Sequence, residues 1–404
     1  MKIIYIAAAF PKPEDGATIY TDLAEELNKY HDILVVSPDQ NIKVNSYQFN
    51  EERNINVYRV GILPYFNVNF LKKGVSALTS SYLLRNFIKK NLPEKKYDLV
   101  LYESPPTTNV NVIKLIKKKY KCLSYLMLKD IFPQNAVDLG IFKKTSFVFA
   151  YFRMKEKKLY NISNIIGCMS NANMNYILQH NNIDKSKVRY FPNTKRIIGS
   201  PNSKKSNTGI LTKYGIPNNK KIILFGGNMG KPQFIPLLCN LIHDFRNNND
   251  IFFVFVGRGQ ERNLLDKEIA LHDIKNAKLI DNLHRNEYES ILPLVSIGLI
   301  VLNPNFTIPN FPSRILSYME HSIPVFAATD KITDIKELII NNNIGVWSYS
   351  GNRDEVYKSL MNMIYSDNLK QMGVNGYNYV VGNFDVEKSV KYIEQHFEEL
   401  SNNV

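Results

Sequence analysis

Cysteine is scarce: Cys122, Cys168 and Cys239 are odd in number, widely spaced and form no C-x-x-C pair. That excludes a disulfide framework and the usual linear zinc or redox motifs, and leaves the three as small buried hydrophobes. No apolar run reaches the roughly 18 to 20 residues that cross a bilayer; the longest candidate is Phe147 to Phe152 with its neighbours. The opening run, Lys2-Ile3-Ile4-Tyr5-Ile6-Ala7, meets polar residues and proline too early for a signal-peptide core, so a cytoplasmic protein is expected. No D-x-D triplet occurs, and no His/Glu group has the linear spacing of metal ligands, so no metal-bridged diphosphate and no cofactor are expected. Acidic residues are short in one half only. Residues 1 to 200 carry 30 Lys and Arg against 16 Asp and Glu, and the remainder 21 against 21, so the whole formal charge of +14 lies in the first half. Nucleic acid and anionic lipid both match such a patch. The lack of any recognisable nucleic-acid module speaks against the former.

What is present is a chain of 404 residues, enough for two domains of ordinary size. At 44% hydrophobic and 22% charged residues, it has the composition of a folded globular protein. Short β-branched and aromatic runs alternate with longer amphipathic stretches, which predicts βαβ units and mostly parallel sheets. In the first half the predicted strands are 2–7, 32–37, 55–60, 98–103, 122–128, 164–169 and 188–191. A polar, basic stretch at 196–219, with Pro201, Gly209, Gly215 and Pro217, predicts a linker. A second series starts at Lys221 and runs through 251–256, 277–281, 297–302, 324–328 and 344–348. The expected architecture is therefore α/β with two Rossmann-like domains, 1–195 and 220–385, facing each other across a cleft. A final amphipathic helix, 386–400, carries Val386, Val390, Ile393 and Phe397 at helical spacing. In open parallel sheets, ligands bind beyond the carboxyl ends of the strands.

Three loops of the second half stand at such ends. Phe225-Gly226-Gly227-Asn228-Met229-Gly230-Lys231-Pro232-Gln233 joins a strand to a helix; its glycines let the backbone approach a phosphate, and Lys231 is placed to neutralise a diphosphate. Val256-Gly257-Arg258-Gly259-Gln260 repeats the pattern with Arg258 as the cation. In the third, Pro312-Ser313-Arg314, Ser313 is an expected helix cap and Arg314 an anion partner. In the first half, Asp130 follows the strand ending at Leu128 and precedes Pro133, where a carboxylate can orient sugar hydroxyls or accept a proton. Each of these patterns also has an ordinary reading, as a glycine turn, an N-cap or a turn aspartate.

Taken in order, the segments resemble glycosyltransferase family 4, the retaining GT-B enzymes, over nearly the whole chain, and within it the O-antigen and capsule branch. The marks are Ser104-Pro105-Pro106-Thr107, Asp130-Ile131-Phe132-Pro133-Gln134-Asn135, Pro192-Asn193, Gly227-Asn228-Met229-Gly230 with Gln233, and Pro312-Ser313-Arg314 with Tyr318-Met319 and Pro324-Val325. The resemblance implies a nucleotide-sugar donor, a UDP-sugar, held by the C-terminal domain, and an acceptor held by the N-terminal one. It implies that Gly16 approaches the donor phosphates, that the last helix returns to the first domain, and that Asp130 orients rather than attacks. Asn228 and Gln233 stand where the family commonly has Arg and Lys. Ser317 replaces the Glu that binds ribose hydroxyls, and the earlier Glu of that pair falls on Pro309.

Aromatic and basic residues mix at Phe142-Lys143-Lys144, at Phe147 to Arg153 with Lys155 to Lys158, at Phe70 to Lys73 and at Leu83 to Lys90. That composition suits helices lying in a headgroup layer. It favours a polyprenyl diphosphate-linked saccharide acceptor at the inner face of the cell membrane. The rival readings are a nucleotide-sugar 2-epimerase of the same architecture and a catalytically inactive sugar-nucleotide-binding partner.

Overall fold

The computed structural model describes residues 1–64, 70–93, 96–198, 209–281 and 283–402, and of 70–75, 77 and 285 the backbone alone. The chain divides into two compact units, Met1–Arg196 with Val386–Val404, and Ile197–Asp385. Each is a doubly wound α/β unit around a mostly parallel sheet.

In the first unit the strands are β1 (Lys2–Ile6), β2 (Asp32–Asp39), β3 (Tyr47–Glu52), β4 (Ile55–Gly61), β5 (Leu99–Ser104), β6 (Leu123–Leu128), β7 (Ile165–Cys168) and β8 (Val188–Tyr190). They lie in the order β3-β4-β2-β1-β5-β6-β7-β8. All pairs are parallel except β3 with β4. The central strands read as unbroken apolar runs because helices cover both faces. β3 was not expected from the sequence. Its residues YQFNEE are nearly all exposed, so no buried face imposes an alternation. Its hairpin turns on Arg53 and Asn54, both at positive φ, without the glycine that usually marks such a turn.

The last helix, Val386–Ser401, packs in this first unit. Val386, Val390 and Ile393 enter the core with Ile3, Tyr5 and Leu27. The Val386 amide donates to the Lys195 carbonyl at 3.0 Å, and the buried hydroxyls of Thr194 and Ser389 pair at 2.7 Å. Tyr125 Oη meets His396 Nδ1 at 2.9 Å, which gives two buried polar groups a partner.

The second unit holds β9 (Lys221–Gly226), β10 (Ile251–Val256), β11 (Ala277–Ile280), β12 (Ile297–Val301), β13 (Val325–Thr329) and β14 (Gly345–Tyr349), all parallel, in the order β11-β10-β9-β12-β13-β14. The order reverses between β9 and β12, so the loops after these two strands open a crevice at the sheet's carboxyl edge. The linker reading of 196–219 needs correction in its second half. Helix Gly209–Lys213 and the turn after it bury Leu211 and Ile216 in this unit, and Lys213 pairs with Glu287. Two apolar residues outweighed a polar composition. Residues 199–208 of that stretch lie outside the described residues.

Ile393 is fully buried on the returning helix. Ile393→Ala should lower the stability of the first unit by about 2 to 4 kcal/mol through lost burial and a cavity, read as an earlier denaturation transition.

Candidate functional site

The loop after β9 is shaped by backbone. Gly227 has φ +129, and a Cβ there would lie 3.1 Å from the Arg314 guanidinium carbon. Only glycine fits both the angle and the approach. Gln233 Oε1 accepts from Asn228 Nδ2 at 3.2 Å and from the Gly230 amide at 3.4 Å, so these two residues, expected from the sequence to meet the donor, close the loop on itself. From the switch strand β12, Asn303 donates its amide to Pro232 O at 2.9 Å and its Nδ2 to Lys231 O at 3.1 Å, joining the two loops. The Lys231 side chain is exposed. Phe234 sits in the left-handed region at φ +43 before helix Ile235–Asp244, a conformation that costs a bulky residue about 1 to 3 kcal/mol and persists only where packing enforces it.

The loop after β10 supports the first. Gly257 has φ +143, and a Cβ on it would fall 2.0 Å from Gly227 O; one on Gly259 would fall 2.1 Å from Met229 O. The Met229 amide donates to Arg258 O at 2.8 Å. The second pair of glycines therefore serves loop-on-loop packing, and a phosphate role is not needed to explain it. Arg258 itself projects to solvent. Its neighbour Arg262 is bound to Asp266 at 2.6 Å and Asp281 at 3.0 Å.

Arg314 begins helix Arg314–Glu320. Its guanidinium lies over the Phe225 ring, 4.6 Å from the centroid, and burial pulls its pKa down, against the countering influence of Tyr318 and Tyr288. Its Nη1 is closed off from solvent and has no hydrogen-bond partner among the described residues. A buried cationic donor left unpaired carries a desolvation penalty of about 1 to 3 kcal/mol or more, which an anion at the loop would remove. Beside it, Tyr318 Oη donates to Leu224 O at 3.1 Å and accepts from the Gly226 amide at 3.2 Å, fixing the strand end beneath the loop. Ser313 does not cap the helix: its backbone is α-helical (φ −62, ψ −18), whereas a cap requires an extended residue, and it makes no capping bond. Ser317 is half-buried, and its carbonyl accepts from His321 Nδ1 at 3.0 Å.

In the first unit Asp130 lies just beyond β6. Its carboxylate accepts from the Ile131 amide at 2.7 Å and from Asn135 Nδ2, and its own amide donates to Ser104 O at 3.2 Å. Desolvation pushes its pKa up to about 6 against those bonds. Neighbouring groups escaped the sequence reading. Glu103, at the end of β5, accepts from Tyr5 Oη and is raised by burial; Lys129 is lowered by burial and donates to Asn193 Oδ1 at 2.9 Å. Tyr20 is raised by burial and by the charges of Glu103 and Asp130. A Glu closing the run Leu99-Val100-Leu101-Tyr102 was the available signal: a carboxylate inside a buried strand is rarely idle. Buried oxygens of Ser104, Thr107 and Asn135 also lack partners among the described residues. Gly16 adopts φ +94, and its carbonyl and that of Lys12 accept from Arg53 at the β3–β4 turn, so the loop after β1 is held by the strand that the sequence concealed.

Residues 208–379 match the family model described as glycosyl transferases group 1. The chain is 22% identical over 323 residues to the probable glycosyltransferase WbjE of Pseudomonas aeruginosa, covering 77% of this chain and 76% of that protein. It is 21% identical over 181 residues, 45% of this chain and 44% of the other, to the putative colanic acid biosynthesis glycosyl transferase WcaI of Escherichia coli. Anabaena HepE in complex with UDP-glucose superposes with a TM-score of 0.70 at 16% identity, over 100% of both chains. The fold is thus GT-B, and the chain is a glycosyltransferase.

Gly257→Ala should disrupt the first loop from a distance, since the added methyl meets Gly227 O. Loss of nucleotide binding in a variant whose circular dichroism is unchanged checks this; undiminished binding contradicts it.

Proposed function

We propose that the chain is a retaining enzyme of glycosyltransferase family 4 that carries a sugar from a UDP-sugar to a polyprenyl diphosphate-linked saccharide during surface polysaccharide assembly. The single observation that carries the donor half is the buried, unpaired Nη1 of Arg314 beside the Gly227 loop. A diphosphate would supply its acceptor, with Lys231, Arg258, Asn228 and Gln233 around the loop. HepE was solved with UDP-glucose, which supports a UDP-sugar here.

The departing group is a diphosphate, so charge builds on its oxygen as the C1–O bond breaks. Arg314 and Lys231 answer that charge without a metal. The acceptor hydroxyl forms the new C1–O bond on the same face, and its proton passes to the departing phosphate oxygen. Asp130, its carboxylate oriented by Ile131 N and Asn135, holds the acceptor. Gly16 is assigned to shaping the loop beside β1, and Ser313 and Ser317 to the donor side.

The acceptor half rests on one surface. Helix Phe147–Ile162 exposes Phe147 (96%), Val148, Tyr151 and Met154 along one side, with exposed Lys143, Lys144, Lys157 and Lys158 around it. An apolar stripe flanked by cations suits the headgroup region of an anionic bilayer. The stretch Leu83 to Lys90 does not do the same: Leu83, Leu84, Phe87 and Ile88 fall on one helical face and are buried, leaving only Arg85, Lys89 and Lys90 outside. The side chains of Phe70 to Lys73 lie outside the described residues. No described helix is long and apolar enough to cross a membrane.

Arg314→Ala should weaken UDP-sugar binding by about tenfold to a hundredfold in calorimetry, the scale of a charge-assisted bond, and Arg314→Lys should recover only part. Equal affinity in all three would remove the donor assignment. Asp130→Asn should lower turnover by about a hundredfold while donor affinity stays within about twofold. Since burial raises Asp130 to about 6, its ionised form is lost as pH falls through that value, so wild-type turnover should drop below about pH 6. A flat profile down to pH 5 would show that the ionised carboxylate is not needed. Phe147→Glu with Tyr151→Glu should abolish sedimentation with anionic vesicles and leave transfer to a water-soluble acceptor unchanged.

A further inference from the structure

Helices Ile235–Asp244 and Arg262–Leu271 pack against each other and carry the two glycine loops at their N-terminal ends. Toward their opposite ends, about 9 to 15 Å away at 1.5 Å per residue, three side chains converge. His243 Nδ1 lies 3.0 Å from Glu268 Oε1, and His272 Nε2 lies 3.5 Å from the same oxygen. One ligand atom from each of the three residues falls within 4.8 Å of the others. The imidazoles stand edge to face with centroids 4.5 Å apart. Linear spacing hides the group, because His243 comes from one helix and the Glu268/His272 pair, four residues apart, from the other.

We infer that His243, Glu268 and His272 form a site for a divalent transition ion, zinc above all. Two imidazoles and a carboxylate are a donor set that such ions favour over magnesium or calcium. With bonds of about 2.0 to 2.1 Å, tetrahedral ligands stand about 3.3 Å apart, between the two separations seen here. The ligands are half-buried or exposed, so an ion can enter and a water can complete the shell. Both helices end at the site, and their last carbonyls favour positive charge. Two guanidiniums flank the site: Arg353 Nε donates to Asp244 at 2.9 Å and its charge also acts on Glu268, while Arg246 Nη1 donates to His243 O at 2.8 Å. Binding ties the two helices together behind the loops they present. The site lies away from the glycine loops, so its role is structural.

The test uses tag-free, full-length protein stripped with a chelator, titrated with Zn(II) against a chromophoric competitor and separately with Co(II). One ion per chain is expected, with the intense visible bands of four-coordinate cobalt and a raised thermal midpoint. His243→Ala and His272→Ala should each weaken zinc binding by at least about tenfold, the lower scale that even outer partners of a bound ion command. Glu268→Gln should do the same with little change in side-chain volume. Because these side chains are at least partly exposed, the variants should keep the parent's circular dichroism. Absence of saturable one-to-one binding, or equal binding in parent and variants, would overturn the assignment.

Discussion

The C-terminal unit is organised around a guanidinium taken out of water without a full set of acceptors. Arg314 sits on the Phe225 ring with Nη1 sealed and unpaired among the described residues. Folding leaves such a group unsatisfied only where packing elsewhere compensates. The surroundings show how that is done. Gly227 has no side chain because its φ of +129 would strain one and a Cβ would crowd the guanidinium at 3.1 Å, Gly257 has none because one would strike Gly227, and Asn303 ties the switch strand's loop to the same backbone. Each constraint is passed outward to the next, and the outcome is a rigid cationic donor aimed at a loop of glycine amides.

The N-terminal unit does something comparable with the opposite sign. Asp130 and Glu103 stand at the carboxyl ends of adjacent strands, both raised by burial, and Lys129, lowered by burial, feels the charge of Glu103. A carboxylate near 6 and an ammonium pulled down from its usual range are poised groups at a sheet edge where ligands bind. The helix that ends the chain stabilises this unit by adding Val386, Val390 and Ile393 to its core.

Much of this was legible in the sequence because it rests on local patterns. Buried parallel strands read as continuous runs such as Lys221-Ile222-Ile223-Leu224-Phe225, and the loops after them announce themselves by glycine and a nearby cation. What escaped depends on partners far apart in the chain. β3 has no buried face to show, yet its turn residue Arg53 holds the Gly16 loop. Ser313 has the composition of a cap but a helical backbone. Gln233 and Asn228, read as donor ligands, bond first to one another. The apolar residues of Leu83 to Lys90 face inward, a distinction of face that composition cannot make. The pairing of His243 with Glu268 and His272 depends on two helices meeting.

The unpaired donor of Arg314 is assigned here to a diphosphate. A crystal structure of the full chain with a bound nucleoside diphosphate tests it most directly. A phosphate oxygen is expected within hydrogen-bond distance of Arg314 Nη1 and of the amides that follow Gly227. A nucleotide seated elsewhere, with Nη1 still unpaired, would contradict it.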